Sequence, residues 1–290
     1  MRSRAYLLLF LSMLSWGVAN PFSDIAVDQM SVGLMFVIEV GAGALILTII
    51  GLMRRTLSFA MWKWALVLGL LEPGLTYLFG NLGYASGTVS TGLIVMQSEV
   101  LFLAYFGWLF LRERISRKEL IALIAGSVGA ITVGWAAVHD GVGSVFSSVA
   151  FAIAALAAAG YAISARRIGV NNPNVNVFAL TWLQSVVSLL FALLVYPFTS
   201  QLGNHQLTPD ALHYVAAVAA GVFGVAIPFI LFIEAAKVVP ARHSALALNV
   251  IPVAGIAIGA FLGRGFPTTL QYVGGAVVLL SLFAIQRQSD

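Results

Sequence analysis

Three glutamates stand where a charged side chain is expensive. Glu39, Glu72 and Glu99 each fall well inside a long apolar run, and a charge at the bilayer centre costs at least about 2.5–3.5 kcal/mol. Such a group faces a cavity or a partner. Two kinds of chemistry follow: accepting the ammonium of a substrate, or carrying a proton in a coupled exchange. Each also has a plain structural alternative. Glu72 could satisfy the backbone that Pro73 frees, Glu39 could hydrogen-bond to a serine or amide of a neighbouring helix, and Glu99 could mark a helix crossing.

Aromatic and amide residues supply the rest of a possible site. Trp16, Tyr77, Tyr84, Tyr105, Tyr161 and Trp182 lie within apolar runs, whereas Trp62, Trp64, Trp135 and Tyr214 lie at run ends, as an interfacial belt would. Flat rings with hydroxyls suit a ring-bearing or cationic ligand, although most aromatics in a bundle only pack. Tyr77, Asn81 and Tyr84 share one helix face by spacing and, with Glu72, form a partly polar stripe expected to line a cavity. Gln97 and Asn249 are mid-run amides, able to bind substrate or to tie helices together. The candidate substrate-binding set is therefore Trp16, Glu39, Glu72, Tyr77, Asn81, Tyr84, Gln97, Glu99, Tyr161, Trp182 and Asn249.

Other features point away from chemistry. Gly255, Gly259 and Gly263, like Gly126, Ala130 and Gly134, repeat every fourth residue and read as close-packing faces. Lys237, Arg242 and His243 cluster in one turn, where orienting the chain is the simplest role and a gate pairing with Glu234 the sharper one. Arg264 reads as an interface marker or a gate at the opposite end. Catalytic patterns such as HExxH, GxSxG and the P-loop are absent. His139, His205, His213 and His243 lie in loops or at run ends, and there is no cysteine. Neither a metal, nor a cofactor, nor an enzymatic activity is expected.

The elements that would position these residues are membrane spans. The chain has 290 residues, 60% hydrophobic and 9% charged, with a mean hydropathy of +0.98. Soluble domains carry about 25% charged residues. The net charge is +4, but the basic residues sit in short clusters between apolar runs, not on one face, so nucleic acid is not the expected partner. Ten spans are expected, at 4–22, 31–53, 62–82, 88–111, 118–138, 146–164, 175–198, 211–234, 240–262 and 268–286. The first run resembles a signal peptide, yet it continues through Trp16 into Asn20-Pro21 without a small-residue cleavage site and is read as a retained span. Pro73, Pro228, Pro252 and Pro197 interrupt or bend four of the ten.

With the N-terminus placed inside, Arg2, Arg4, Arg54, Arg55, Lys63, Arg112, Arg114, Arg117, Lys118, Arg166, Arg167, Lys237, Arg242 and Arg287 all fall on the cytoplasmic side. Arg264 alone falls outside, which accounts for all 15 basic residues. Asp24, Asp28, Asp140 and Asp210 fall in outside loops. The positive-inside rule therefore places both termini in the cytoplasm, and adding or removing one span would destroy the pattern. Ten spans divide into two fives, 1–140 and 141–290. Residues of spans 1–2 align with those of 6–7 at an offset of 145, and spans 3–5 with 8–10 at an offset of 152. Trp16 then meets Tyr161, Glu39 meets Gln184, Tyr77 meets Phe229, and Gln97 meets Asn249. A repeat with an odd number of spans inverts its second copy, the plan of many secondary transporters.

The stretch from Gly83-Tyr84-Ala85 to Leu109-Phe110-Leu111-Arg112-Glu113-Arg114 resembles the repeat signature of the drug/metabolite transporter superfamily, EamA branch. In that signature a small-residue turn leads into a helix with a Glu-Pro pair and a Phe-Leu-x-Glu-Arg ending. Leu120 to Val133 has the small, aliphatic character of the helix that follows. The first copy keeps the acid in Glu99-Val100 and loses the proline. The second keeps the proline in Ile251-Pro252, and Phe261-Leu262-Gly263-Arg264-Gly265 lacks the glutamate. Leu71-Glu72 and Asn81-Leu82-Gly83-Tyr84-Ala85 look like the third helix of the YddG-type aromatic amino-acid exporters.

The resemblance implies an all-α integral membrane protein with ten transmembrane helices, a 5+5 inverted repeat around a central cavity. It also implies export of amino acids or similar metabolites from a cell (inner) membrane. Proton-coupled efflux of cationic drugs is the alternative, and an intramembrane enzyme a more distant one. The expected partners are a small-molecule substrate and the lipid bilayer, and one chain, a monomer, suffices.

Overall fold

The computed structural model describes residues 2–86, 92, 95–135, 145–204, 208–262 and 268–286. Its α-helices are α1 (Arg2–Val27), α2 (Val32–Arg54), α3 (Trp62–Gly69), α4 (Thr76–Ser86), α5 (Ser98–Leu111), α6 (Arg117–Trp135), α7 (Val145–Asn171), α8 (Val177–Thr199), α9 (Ala211–Gly221), α10 (Ile227–Ala236), α11 (Ala241–Leu248), α12 (Val250–Phe261) and α13 (Thr269–Gln286). Wider-wound π segments at Leu70–Leu75 and Val222–Ala226 join α3 to α4 and α9 to α10. With these joints, and with α11 and α12 taken as one rod, the described helices number ten. Seven stretches are long and apolar enough to cross a membrane. α5, α6 and α13 fall outside that set: α5 has 14 described residues, and α6 opens with Arg117, Lys118 and Glu119. Arg264, His139, Asp140, His205 and Arg287 lie outside the described residues.

The offsets read from the sequence recur as structural landmarks. Ser31 caps α2 through a hydrogen bond from the Leu34 amide to its Oγ at 3.2 Å. Asn176, 145 residues on, caps α8 through the Ala179 amide at 3.1 Å. The two π segments begin 152 residues apart, at Leu70 and Val222. Gln97 and Asn249 both stand at one-residue interruptions of otherwise helical backbone, with φ/ψ of −61/−17° and −62/−14°. The packing follows suit. α2 lies against α8 and α6 against α13, while α1 lies against α9, α10 and α12, and α7 against α4 and α5. The first helix of each half is thus embedded in the other half.

Proline explains the two breaks. A helical proline has no N–H for the carbonyl four residues back. Pro73 therefore frees the Gly69 carbonyl, which accepts from Ser188 Oγ at 2.6 Å. Pro228 frees the Gly224 carbonyl, which accepts from Trp16 Nε1 at 3.0 Å and from the Tyr77 hydroxyl. In both cases donors from the opposite half satisfy a group that hydrocarbon could not. Glu72 is extended, with φ/ψ of −150/129°. Because Ser188 meets the freed carbonyl, Glu72 is not needed as a backbone cap. α3 and α9 also approach the opposite half closely. A Cβ at Gly69 would collide with the Gln184 carbonyl oxygen, and one at Gly221 with the Glu39 carbonyl oxygen.

At the end opposite the N-terminus, Asp210 caps α9. Its carboxylate accepts from the Leu212 amide at 2.9 Å and the His213 amide at 3.2 Å, and pairs with the His213 ring. The His213 ring and amide hold the Asp210 carboxyl below its usual range. A carboxyl depressed in the folded state adds stability above its unfolded value, about 3.9, and loses it as pH falls through the folded value. The Tm difference between the wild type and Asp210→Ala should therefore shrink as pH is lowered from about 5 towards 3. A difference that stays constant over that range would remove the cap from the pH response.

Candidate functional site

The second half of α1, the start of α2, the joint before α4, α4 itself, the start of α5 and α7 from Phe151 to Ala162 converge on one cavity, with Phe232 of α10, Leu248 of α11 and Ile251 and Pro252 of α12 completing it. Its empty volume, mouth included, is about 1080 Å³. Most of the α1, α2, α4 and α5 lining lies in the parts of those helices away from the N-terminal end. Two helix faces with the same spacing supply much of the wall: Trp16, Asn20 and Ser23 on α1, and Tyr77, Asn81 and Tyr84 on α4. Residues at i, i+4 and i+7 share one face, which is why each triad presents together.

Glu39, Glu72 and Glu99 all line this cavity, with Gln97 beside Glu99 and Thr76 near Glu72. Glu39 is 4% exposed. One of its oxygens accepts from Ser23 Oγ at 3.1 Å and the other from Asn81 Nδ2 at 3.4 Å. Neutral donors thus orient this carboxyl group, with no cation beside it among the described lining residues. Gln97 is 7% exposed and its Oε1 has no protein partner. Among the described lining residues there is no lysine, arginine or histidine. A cavity with three carboxyl groups and no fixed cation favours a positively charged guest.

Aromatic rings close the floor. Trp16 meets Phe229 edge-on at 5.4 Å and Phe232 at 5.6 Å, and Tyr161 meets the same two rings at 5.2 and 5.9 Å. Trp16, Tyr161, Tyr77 and Phe229 are the pairs that the repeat offsets equate, so the floor sits where the two halves meet. Tyr84 packs edge-on against Phe151 at 5.0 Å higher in the wall. The indole N–H of Trp16 and the hydroxyl of Tyr77 are committed to the Gly224 carbonyl, so these residues offer a guest their faces and not those donors. Ring faces attract cations by about 0.5–2 kcal/mol.

Nine of the eleven expected site residues line the cavity: Trp16, Glu39, Glu72, Tyr77, Asn81, Tyr84, Gln97, Glu99 and Tyr161. Two do not. Trp182 donates to Thr48 Oγ1 at 2.9 Å and meets Phe59 edge-on at 5.3 Å. Asn249 is fully buried, and its amide packs where a Cβ on Gly126 would lie. It matches Gln97 in backbone but not in outlook. Sequence reasoning missed Asn20, Ser23, Thr76, Phe151 and Phe232. The spacing of Asn20 and Ser23 from Trp16 was the available signal.

A sequence profile of the EamA-like transporter family matches residues 3–135 and again 146–287. No curated protein matches the chain by sequence. A solved crystal structure is similar over 100% of both chains with a TM-score of 0.79 at 18% identity, a likeness that extends to the fold alone.

Proposed function

The chain belongs to the EamA-like transporter family, with two copies of the family's repeat, and from that premise we propose that it carries small organic ammonium solutes with an apolar or aromatic body across a membrane. Apolar and aromatic amino acids and the amines related to them form the class. The observation that carries this reading is a cavity with three carboxyl groups, no described cationic residue and a floor of aromatic rings. Glu39, held by Ser23 and Asn81, would receive the ammonium, and Trp16, Tyr77, Tyr84 and Tyr161 would enclose the body. Gln97 and Asn81 provide the neutral donors that an amino-acid carboxylate would use.

In this reading the ten helices all span the bilayer as two inverted fives, with both termini cytoplasmic, and the halves rock to expose the cavity to each side in turn. The membrane is the cell's inner membrane, the net direction is export, and one chain is the working unit. Buried carboxyls also fit proton-coupled efflux of cationic drugs, the second reading. Counterflow in proteoliposomes separates them, with labelled phenylalanine, tryptophan, threonine, phenethylamine and a cationic dye, first without and then with a pH gradient. Exchange of the aromatic amino acids or amines without a gradient is expected. Dye movement only under a gradient, with none of the others exchanged, would overturn it in favour of drug efflux.

A further inference from the structure

At the end of the molecule that carries the N-terminus, charged residues from the two halves form one connected network. Arg166 Nε reaches Glu113 Oε1 at 3.4 Å, and its Nη1 donates to the Ala236 carbonyl at 2.8 Å. Arg242 spans both acids, with Nη1 at 3.7 Å from Glu113 Oε2 and Nε hydrogen-bonded to Glu119 Oε1. His243 Nε2 lies 2.9 Å from that same oxygen, and its Nδ1 is hydrogen-bonded to the Tyr6 hydroxyl. The second oxygen of Glu119 accepts from the Ser116 amide at 2.8 Å, which locks the acid at the start of α6. Lys237 pairs with Glu234 at 2.9 Å within its own turn and stands apart from these contacts.

We propose that the Glu113–Glu119–Arg166–Arg242–His243 network is the inner gate of the transport cycle, intact while the cavity faces the opposite side and broken when it opens inward. The acids belong to the first half and the bases to the second, so any rocking that separates the halves at this end must part them. Between network and cavity lies a dry plug, in which Met13, Leu103 and Ala245 are 0% exposed and Leu246 1%. Along α1 the ten residue steps from Tyr6 to Trp16 span about 15 Å, the thickness of the closed side. The sequence gives the network no twin. At the repeat-equivalent positions stand Pro21, Ser90, Thr91, Gly265 and Gln271, none of them charged. With this network holding the N-terminal end and no charged twin at the repeat-equivalent positions, the resting equilibrium lies on the side with that end closed, and a guest or a gradient must offset the network to open it.

The absence of cysteine allows single reporters. Gly80→Cys places a thiol in the cavity, where a Cβ meets open space. Leu103→Cys places one in the plug. Each is combined with Glu113→Gln plus Glu119→Gln and treated with a membrane-impermeant maleimide applied from the N-terminal side or the opposite side. In the parent, Gly80→Cys should react from the opposite side and Leu103→Cys hardly at all. In the double variant, Leu103→Cys should react at least about tenfold faster from the N-terminal side, and Gly80→Cys more slowly from the other. Unchanged Leu103→Cys labelling in folded double variant would overturn the proposal. Where that variant does not fold, Glu119→Gln alone is used, with a smaller acceleration expected and an unchanged rate again overturning it. The inference rests on alternating access, but labelling needs no substrate, so the gate and the ammonium reading fail independently.

Discussion

Glu39→Gln should raise the half-saturating concentration for counterflow of an ammonium solute by about five- to tenfold while leaving the protein folded. A hydrogen bond to a charged group contributes about 1.5–3 kcal/mol against about 0.5–1.5 for a neutral one, and each 1.4 kcal/mol is tenfold in affinity. The amide keeps the shape of the carboxyl and can still meet Ser23 and Asn81, whose bonds at 3.1 and 3.4 Å hold it in the cavity wall. Only the charge offered to the guest is lost. Ser23→Ala should act in the same direction but more weakly, because it loosens the carboxylate without removing it. An unchanged half-saturating concentration in Glu39→Gln would exclude that carboxylate as the ammonium receptor and leave Glu72 and Glu99 as the candidates.

The second large effect is on folding. Gly221→Leu and Gly69→Leu should each abolish recovery of monodisperse protein, and the alanine variants should lower Tm. Alanine is favoured over glycine inside a helix by about 0.8–1.0 kcal/mol, so propensity alone predicts stabilisation. Overpacking opposes it by about 1–3 kcal/mol or more. Here the atom in the way is a backbone oxygen of α2 or α8, which cannot rotate aside as a side chain would, so the steric term wins. Gly80→Ala is the control, since nothing lies within 4 Å of its Cβ. Alanine variants of Gly69 and Gly221 with Tm at or above the parent's would show that the crossing tolerates separation.

Much of this arrangement was legible because its causes are local. Prolines at 73 and 228 announced breaks, and N-caps at Ser31 and Asn176 mark helix starts by a chemistry visible in the sequence. The offsets of 145 and 152 recur at the two N-caps, at the starts of the two π segments and at the Gln97 and Asn249 interruptions. The outlook of a side chain on a wholly apolar helix was not legible. When every face is hydrophobic, the periodicity that assigns faces disappears. Trp182, grouped with the cavity aromatics for its position along α8, points instead to Thr48 and Phe59. Asn249 shares its backbone turn with Gln97 yet faces Gly126.

Partners of freed carbonyls were equally hidden, because Ser188 is 119 residues from Gly69 and Trp16 is 208 from Gly224. The inner network was half visible. Lys237, Arg242 and His243 were read as a possible gate pairing with Glu234; Lys237 makes that pair, while Arg242 and His243 turn to Glu113 and Glu119. Glu113 had been read only as part of a family signature.

The exchange of hydrogen bonds between halves also has a consequence for how the chain is born. When the first five helices have left the ribosome, the Gly69 carbonyl lacks the hydroxyl that will meet it, because Ser188 has not yet been synthesised. Until α8 arrives the break has only its own loosened backbone bonds, and a poorly met carbonyl in hydrocarbon is costly. The Gly224 carbonyl meets no such delay, because Trp16 and Tyr77 are already waiting. The first half is therefore a template with one open seat, and the second half folds onto donors made before it.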